Sequence, residues 1–362
     1  MEATRGIART PWIFTGAEEP RMQTREIDAT VLETLMAAAV AAPSIHNTQP
    51  WRFGMRAATR SIEVRADDRR ALPLADPERR AQHLSVGAAV FNLRVAVAHL
   101  GWNPVVRLLP DEDEPDLLAA VRLTTPTGQL PDHRWLYPAV ERRHTSRMPF
   151  TGRPVPEAVV AEMTAAARVE GARLHVPDFA ATRLLLGLTA AAEARNHAGP
   201  ARNAETRAWI TTPGTNVPYG IPLTTLGPRD ADGRMPMRDF TGRSPVPGPP
   251  ARHFERHAQV ALLSTAQDRR EDWLRAGQAL ERVLLTATAH GVRTSMLHQA
   301  MEWPDLRAAA SLSQRRCCPQ LLIRFGYGPD GGRTPRASAH AAGHHTEGTG
   351  PAPGRSGTAS AT

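Results

Sequence analysis

The chain has 362 residues, 41% of them hydrophobic and 22% charged, so it is long enough for one large fold or two domains around a real core. All 44 basic residues are arginine, because the sequence contains no lysine, and 36 acidic residues leave a net charge of +8. The lack of lysine excludes a P-loop nucleotidase and a Schiff-base enzyme. Two adjacent cysteines, Cys317 and Cys318, exclude a disulfide framework and a Cys-x-x-Cys site.

Two further features bear on location and partners. The alanine-rich uncharged run at residues 34–51 is interrupted by Pro43 and Pro50 and is too short to span a bilayer. No apolar leader is visible near the start, so we expect a cytoplasmic protein. The arginines are interspersed with acids and form no run of five like charges, which disfavours nucleic-acid binding.

Hydrophobic periodicity predicts helices and strands along most of the chain. The first helix is predicted from its N-cap Asp28 to residue 42, where Pro43 ends it. The second opens with Asp76 as cap and Pro77 at the first helical position, and runs to about residue 100 with one buried stripe. Later elements are predicted as strands at 105–109 and 117–123, a helix at 157–169, a strand at 172–176, a helix at 179–197, a strand at 259–264, a helix at 271–290, a short helix after Pro304 and a strand at 320–325.

Two segments lack this periodicity. Residues 211–250 hold nine prolines and six glycines, and a loop of that length inside a domain is typical of a functional lid or an insert. Residues 331–362 contain no Val, Ile, Leu, Met or aromatic side chain, so they cannot bury enough apolar surface to order themselves. We therefore predict a disordered tail at 337–362.

An internal repeat links two of the predicted helices. Residues 84–102 align without gaps to residues 274–292, so that Gly87 falls on Gly277 and Gly101 on Gly291. Chance agreement between two alanine-rich helices is one explanation. Since strand-like runs follow both helices, we favour a single helix–strand unit used twice, with glycines that allow close helix packing.

Three patterns resemble sites without the context that such sites need. The GxGxxG run at 326–331 is followed by no helix and contains a proline. His253 and His257 have a glutamate at the third position of the motif rather than the second, so they do not match a zinc protease. Cys317 and Cys318 lie beside arginines but fit small hydrophobes entering a strand. We predict no metal site.

Two polar segments are stronger candidates. Residues 43–51, Pro-Ser-Ile-His-Asn-Thr-Gln-Pro-Trp, leave a buried helix and enter a strand, and their polar groups could contact a planar ring. The alternative is a helix stop followed by a turn. Residues 142–147, Arg-Arg-His-Thr-Ser-Arg, suit a phosphate because guanidinium groups pair with its oxygens, although a solvated basic turn would have the same composition.

These two segments carry a family resemblance. Residues 42–51 resemble the Pro-Ser-x-x-Asn-x-Gln-Pro-Trp signature of the FMN-dependent nitroreductases, and residues 143–150 resemble their phosphate-binding box. The helix that ends at Gly291 and the last strand are similar to the C-terminal half of that family. The whole chain resembles its double-length, actinobacterial Acg-type branch.

The resemblance implies an α+β, nitroreductase-like FMN fold that is internally duplicated, so that one chain mimics the usual homodimer. Each motif occurs once, which implies a monomer acting as a pseudo-dimer with one complete flavin site; a higher oligomer is not excluded. The implied parts are an N-terminal extension at 1–27, a first half at 28–125, a second half at 126–336 with a Pro/Gly-rich lid at 211–250, and the tail.

Residue roles also follow from the resemblance. The FMN phosphate would be bound by Arg143, Thr145, Arg147, Arg333 and Arg336. The isoalloxazine ring would be lined by Pro43, Ser44, Ile45 and Asn47, and its polar edge approached by Ser295, Met296 and His298.

The implied activity is transfer of hydride from NADPH or NADH, through bound FMN, to a small nitroaromatic, quinone or similar acceptor. No side chain acts as a nucleophile in this scheme, because the cofactor carries the chemistry. The alternative is a protein that binds and sequesters FMN under a closed lid with little reductase activity.

Overall fold

The computed structural model describes residues 27–212, 214–215, 217–241, 249–311, 317–338 and 343–344. Its α-helices are α1 (Ala29–Val40), α2 (Arg80–His99), α3 (Tyr137–Arg142), α4 (Glu157–Val169), α5 (Phe179–Ala198), α6 (Pro200–Ala208), α7 (Arg270–Ala289) and α8 (Pro304–Ala309). Its strands are β1 (Trp51–Arg56), β2 (Ser61–Ala66), β3 (Asn103–Leu108), β4 (Leu117–Thr124), β5 (Arg173–His175), β6 (Ile210–Thr211), β7 (Ile221–Pro222), β8 (Gln259–Thr265), β9 (Arg293–Leu297), β10 (Cys318–Gly326) and β11 (Gly343–His344).

The N-terminal part is a sheet of order β11-β1-β2-β4-β3 covered by α1 and α2. Its pairs are antiparallel, except that β11 runs parallel to β1. Trp51, Phe53 and Phe91 are buried in the core between the sheet and the helices. The sequence predicts one buried stripe on α2, but every residue of this helix except Arg94 and His99 is buried. The reason is that the sheet, α1 and α7 enclose the helix on all sides.

The C-terminal part is an antiparallel sheet of order β5-β8-β10-β9. α4 and α7 pack together over a core that includes Met163, Leu263 and Phe325. A second apolar cluster includes Leu185 of α5 and Met301. The mixture of separate antiparallel sheets with helices is the predicted α+β class.

The two halves meet where α2 crosses α7, at the glycines that the repeat aligns. A Cβ atom at Gly87 would overlap the backbone oxygen of Leu274, and a Cβ at Gly277 would overlap that of Leu84. Since Leu84 and Leu274 are also equivalent in the repeat, these contacts are reciprocal, as at a twofold axis. This close approach requires glycine on both helices and supports the internal duplication.

The repeat extends past the helices. Gly101 and Gly291 both have positive φ, at 92° and 70°, and β3 and β9 each begin two residues later. This conformation favours glycine and ends each helix as predicted.

Several element boundaries differ from the sequence prediction. α2 begins at Arg80, because Arg79 has a left-handed backbone, and Asp76 reaches forward to accept from the backbone N–H groups of Ala81 and Gln82. β2, α3 and α6 were not among the assigned elements, nor were the two-residue strands β6, β7 and β11, whereas β9 is the strand-like run expected after the second repeated helix. In β2, Ile62, Val64 and Ala66 are buried and alternate with Ser61, Glu63 and Arg65, so the sequence carried the period of a strand that the prediction did not use.

The predicted N-terminal extension at 1–27 lies outside the described residues apart from Ile27, and so does most of the predicted tail. Where the tail is described, Ala337 is buried and donates its N–H to Gln49, and β11 pairs with β1. The ordered chain therefore continues beyond the predicted boundary at 336. No helix in the described part of the chain has the length and apolarity needed to cross a membrane.

Candidate functional site

A cavity of about 270 Å³ lies between the two halves, beside the α2–α7 contact. All twelve residues that the sequence analysis selected line it: Pro43, Ser44, Ile45, Asn47, Arg143, Thr145, Arg147, Ser295, Met296, His298, Arg333 and Arg336. They come from four segments far apart in the sequence. Their convergence is a structural finding, and their roles remain predictions.

The loop after α1 forms one wall of the cavity. A single 3₁₀ turn, Ile45–Asn47, places His46 and Asn47 in the left-handed region with φ of 48° and 55°. Ser44 Oγ accepts from Gln49 N at 2.9 Å, and Ser85 Oγ accepts from Ile45 N at 3.2 Å. Strained backbone of this kind persists only where its surroundings fix it, and it clusters at binding sites.

Asn47 lies at the cavity as predicted, but its side chain is fully engaged with the protein. Its Nδ2 donates to the backbone oxygens of Gly220 at 2.8 Å and Pro335 at 3.0 Å. Its Oδ1 accepts from Arg336 at 2.8 Å. Asn47 therefore ties together the loop, the Pro/Gly-rich segment and the C-terminal segment.

Four arginines form what we call the basic end of the cavity: Arg143, Arg147, Arg333 and Arg336. Arg147 donates to the backbone oxygen of Thr225 at 3.3 Å, and the described residues provide no carboxylate that pairs with it. Burial lowers its pKa to about 10, so it stays charged at neutral pH. A half-buried cation without a counter-charge favours a bound anion.

The C-terminal segment brings the other two arginines to the box at 143–147. A Cβ atom at Gly331 would lie 3.0 Å from Cα of Ser146, so the two backbones cross closely. Arg333 is exposed at the cavity mouth. Burial and the nearby Arg143 lower the pKa of Arg336 to about 9.

One buried acid behind the basic end was missed by the sequence analysis. Glu281 of α7 is 0% exposed, and its Oε1 lies 3.4 Å from Nε of Arg143. Burial raises its pKa to about 7, against the opposing effect of Arg143 and Arg336. The sequence could have indicated that Glu281 is buried, because it lies four residues after Gly277 and so on the same face of the helix.

A second group of arginines, Arg80, Arg202 and Arg238, forms what we call the paired end, because each of them has a partner. Arg238 lines the cavity, and Arg80 and Arg202 contact the lining residues His298 and Glu302. Glu302 is bound by Arg202 at 3.0 Å and by Arg238. Burial opposes ionisation of Glu302, but Arg238 and His298 lower its pKa to about 2. Arg80 donates to Nε2 of His298 at 2.9 Å, and His298 Nδ1 lies 3.3 Å from Glu302. His298 thus lies at the cavity inside a charged network.

The Pro/Gly-rich segment contributes Ile221, Met237, Arg238 and Phe240 to the cavity wall. Phe240 is 7% exposed, and its ring meets that of His46 edge-on at 5.5 Å. The guanidinium of Arg147 lies 5.3 Å from the same ring. Residues 213, 216 and 242–248 of this segment are outside the described residues.

The histidine pair set aside in the sequence analysis lies outside the cavity lining. His253 pairs with Asp232 at 3.2 Å, and the ring of His257 lies 5.8 Å from that of Phe179. Among the described residues no group of three metal-binding side chains occurs. In the GxGxxG run, Gly328 packs against Phe150, so the glycines allow the chain to pass close to residues 143–150.

Comparison with known proteins places this site in a family. No family model matches the sequence. The chain is 32% identical to a Mycobacterium tuberculosis protein with the provisional name NAD(P)H nitroreductase Rv3131, over 85% of this chain and 88% of the relative. It is 30% identical to the uncharacterized protein Rv3127 of the same organism, over 83% of this chain and 87% of the relative. It is 28% identical to a third protein, provisionally named NAD(P)H nitroreductase acg, over 85% and 92% of the two chains.

Solved structures with lower similarity include the FMN-dependent nitroreductase NfnB of Mycobacterium smegmatis in complex with NADPH. It shares 17% identity with a TM-score of 0.36, over 58% of this chain and 96% of that one. An FMN complex of a nitroreductase from Desulfovibrio desulfuricans shares 16% identity with a TM-score of 0.34, over 60% and 98%.

The cavity, with its strained Pro-Ser loop and its basic end, therefore lies in a nitroreductase-type protein. From its 32% identity to the mycobacterial nitroreductase over most of both chains, the chain belongs to the nitroreductase family.

Proposed function

We propose that the chain binds one FMN in this cavity and passes hydride from NADPH or NADH to a small nitroaromatic, quinone or similar acceptor. The names of the mycobacterial relatives support an NAD(P)H-dependent oxidoreductase. The main support for FMN as the cofactor is Arg147. Its guanidinium is charged and half-buried, has no carboxylate partner in the described chain, and lies beside three further cavity arginines.

The residues present fit FMN in charge and in shape. Its phosphate needs charge-assisted donors, which the basic end and the hydroxyl of Thr145 supply. Next to that end the wall is largely apolar, with Pro43, Ile45, Leu280 and Met296 facing the space, as a flat aromatic ring requires. FMN, when bound, supplies the hydride-accepting chemistry, so the protein needs no nucleophile.

The chain's own residues would bind, orient and exclude water. Arg143, Arg147, Arg333 and Arg336 would hold the phosphate. Pro43, Ser44 and Ile45 would line the ring, and the engaged amide of Asn47 would fix the loop that presents them. Ser295 and Met296 of β9, and His298 just after it, would approach its polar edge. Thr145 forms an isolated bridge with Thr294, so β9 lies beside the box.

We further propose that residues 28–125 and 126–336 act as the two subunits of a pseudo-dimer. The reciprocal Gly87–Gly277 contact supports this arrangement. The loop at 43–51 and the box at 143–147 each occur once, so a monomer would hold one site.

A direct test is the amount of flavin per chain. The purified protein should be yellow, and denaturation should release one FMN per chain. Two flavins per chain would contradict the pseudo-dimer, and a colourless protein that ignores added FMN would contradict the cofactor assignment.

A second candidate function, an FMN store with little turnover, is favoured by Phe240. Its buried ring lies in the cavity between His46 and Arg147, where it could deny nicotinamide a stacking position. Residues 211–250 would then act as a lid held by the Arg238–Glu302 pair. A lid open 1% of the time would weaken nicotinamide binding about 100-fold.

Stopped-flow bleaching of the flavin band by NADPH or NADH under anaerobic conditions separates the two functions. Fast bleaching of the wild type, with reoxidation by a quinone, supports the reductase. Slow bleaching that Phe240→Ala accelerates supports the store. Phe179→Ala removes an aromatic ring that is 61% exposed and outside the cavity lining, and it should change nothing.

A further inference from the structure

The carboxylate of Glu281 is an unexplained buried acid in contact with the basic end. It is 0% exposed on α7, and neither of its oxygens makes a hydrogen bond of normal geometry within the described chain; the amide of Asn92 is the polar neighbour that favours its charged form. Its Oε1 lies 3.4 Å from Nε of Arg143, which likewise lacks a hydrogen bond. A buried carboxylate so poorly satisfied is close to the balance between its charged and its neutral form.

The groups that surround Glu281 come from three elements. Arg143 follows α3, Arg336 lies in the C-terminal segment, and Asn92 belongs to α2. Asn92 donates through Nδ2 to the backbone oxygen of Ala38 at 3.0 Å. The two arginines are the charged groups that act on Glu281, and both also line the cavity.

We propose that Glu281 is the counter-charge of Arg143 and Arg336 and that it takes up a proton when a phosphate group binds to these arginines. The inference rests on the proposed FMN function and specifies how this chain balances charge at the phosphate. Glu281 is a positioning residue, since its oxygens are buried away from the cavity.

The direction of the coupling follows from the charges. Arg143 and Arg336 favour the ionised carboxylate, and burial, the larger influence, leaves its pKa at about 7. A phosphate on the arginines offsets their positive charge, so the pKa of Glu281 rises further. Above pH 7 binding then requires a proton, and affinity falls as pH rises, by up to about tenfold per pH unit.

The test is calorimetric titration of FMN into the full-length chain, freed of flavin, from pH 7 to pH 8.5. In this range the phosphate is already a dianion, because its second pKa is about 6. Buffers of different ionisation enthalpy report the protons taken up. We expect uptake approaching one proton at pH 8, an affinity about tenfold weaker at pH 8.5 than at pH 7, and no uptake with riboflavin.

Two variants sharpen the result. Glu281→Gln should abolish the proton uptake and flatten the pH dependence. Glu170→Gln is the matched control, because Glu170 is another buried acid on two arginines, Arg94 and Arg282, outside the cavity lining, and its loss should leave the uptake intact.

The proton count of the wild type decides the question even where Glu281→Gln does not fold. FMN binding without proton uptake, or uptake that persists in Glu281→Gln, would overturn the role of Glu281 and leave the FMN proposal standing. Absence of FMN binding would overturn both.

Discussion

The paired end and the basic end of the cavity differ in the partners that their arginines have. At the paired end, Glu302 closes a network with Arg202 and Arg238, and Arg80 reaches His298 and two carbonyl groups. At the basic end, one buried acid, Glu281, faces two of the four arginines, Arg143 and Arg336, and its pKa of about 7 leaves it about half ionised at neutral pH. One cavity thus carries arginines held by ionised carboxylates or by His298 and arginines of which, among the described residues, only Arg143 pairs with a carboxylate.

This difference distinguishes arginines that stabilise the fold from arginines that are available to bind a ligand. A guanidinium whose partners lie within the chain contributes to the fold, whereas one that lacks a partner gains most from a ligand. On this account the paired end positions Arg238 of the Pro/Gly-rich segment, and the basic end binds the phosphate. Substitutions at the two ends should therefore give different phenotypes.

Breaking the paired end should have the largest effect on stability. Glu302→Ala would leave Arg202 and Arg238 buried without their carboxylate, and we expect a loss of about 3–5 kcal/mol in the free energy of unfolding. Urea denaturation measures this. The matched control is Asp305→Ala, which removes the exposed partner of Arg195 and should keep the urea midpoint of the wild type. Equal midpoints for the two variants would refute the distinction.

Lowering the pH should also remove the stabilisation that the paired end provides. Its surroundings lower the pKa of Glu302 from 4.5 to about 2, so the folded state binds its proton less readily than the unfolded state does. The stabilisation is therefore present above pH 5 and is lost as pH falls through 2. It amounts to about 3 kcal/mol for a shift of this size.

Urea unfolding between pH 6 and pH 2 tests this contribution. The free energy of unfolding of Glu302→Gln should fall less steeply with acid than that of the wild type. Parallel curves for the two proteins would show that Glu302 does not titrate in this way.

The sequence predicts local features of this molecule well. The Pro43 stop, the cap at Asp28 and the glycines at 87 and 277 are recognisable because each residue acts on its immediate neighbours or through a repeat. All twelve site residues line one cavity: the two family motifs identify seven of them, and the resemblance of the C-terminal half identifies the other five.

The features that escape the sequence depend on distant partners. Asn47 is engaged by Gly220 and Pro335, which lie 173 and 288 residues away, so no local pattern reveals that its amide is occupied. Glu281 lies in a helix with ordinary polar spacing, and only the packing of α7 against α2 makes it buried. The all-round burial of α2 likewise follows from its enclosure by the other half of the chain.

The measurement that tests the central claim most directly compares the affinities of FMN and riboflavin for the wild type and for Arg147→Ala. Loss of one charge-assisted contact should weaken FMN by about 1.5–3 kcal/mol, or roughly 10- to 150-fold, and leave riboflavin, which has no phosphate, unchanged. Arg142→Ala is the control, since Arg142 is exposed and outside the cavity lining. An equal loss for FMN and riboflavin would contradict the assignment of the basic end to the phosphate.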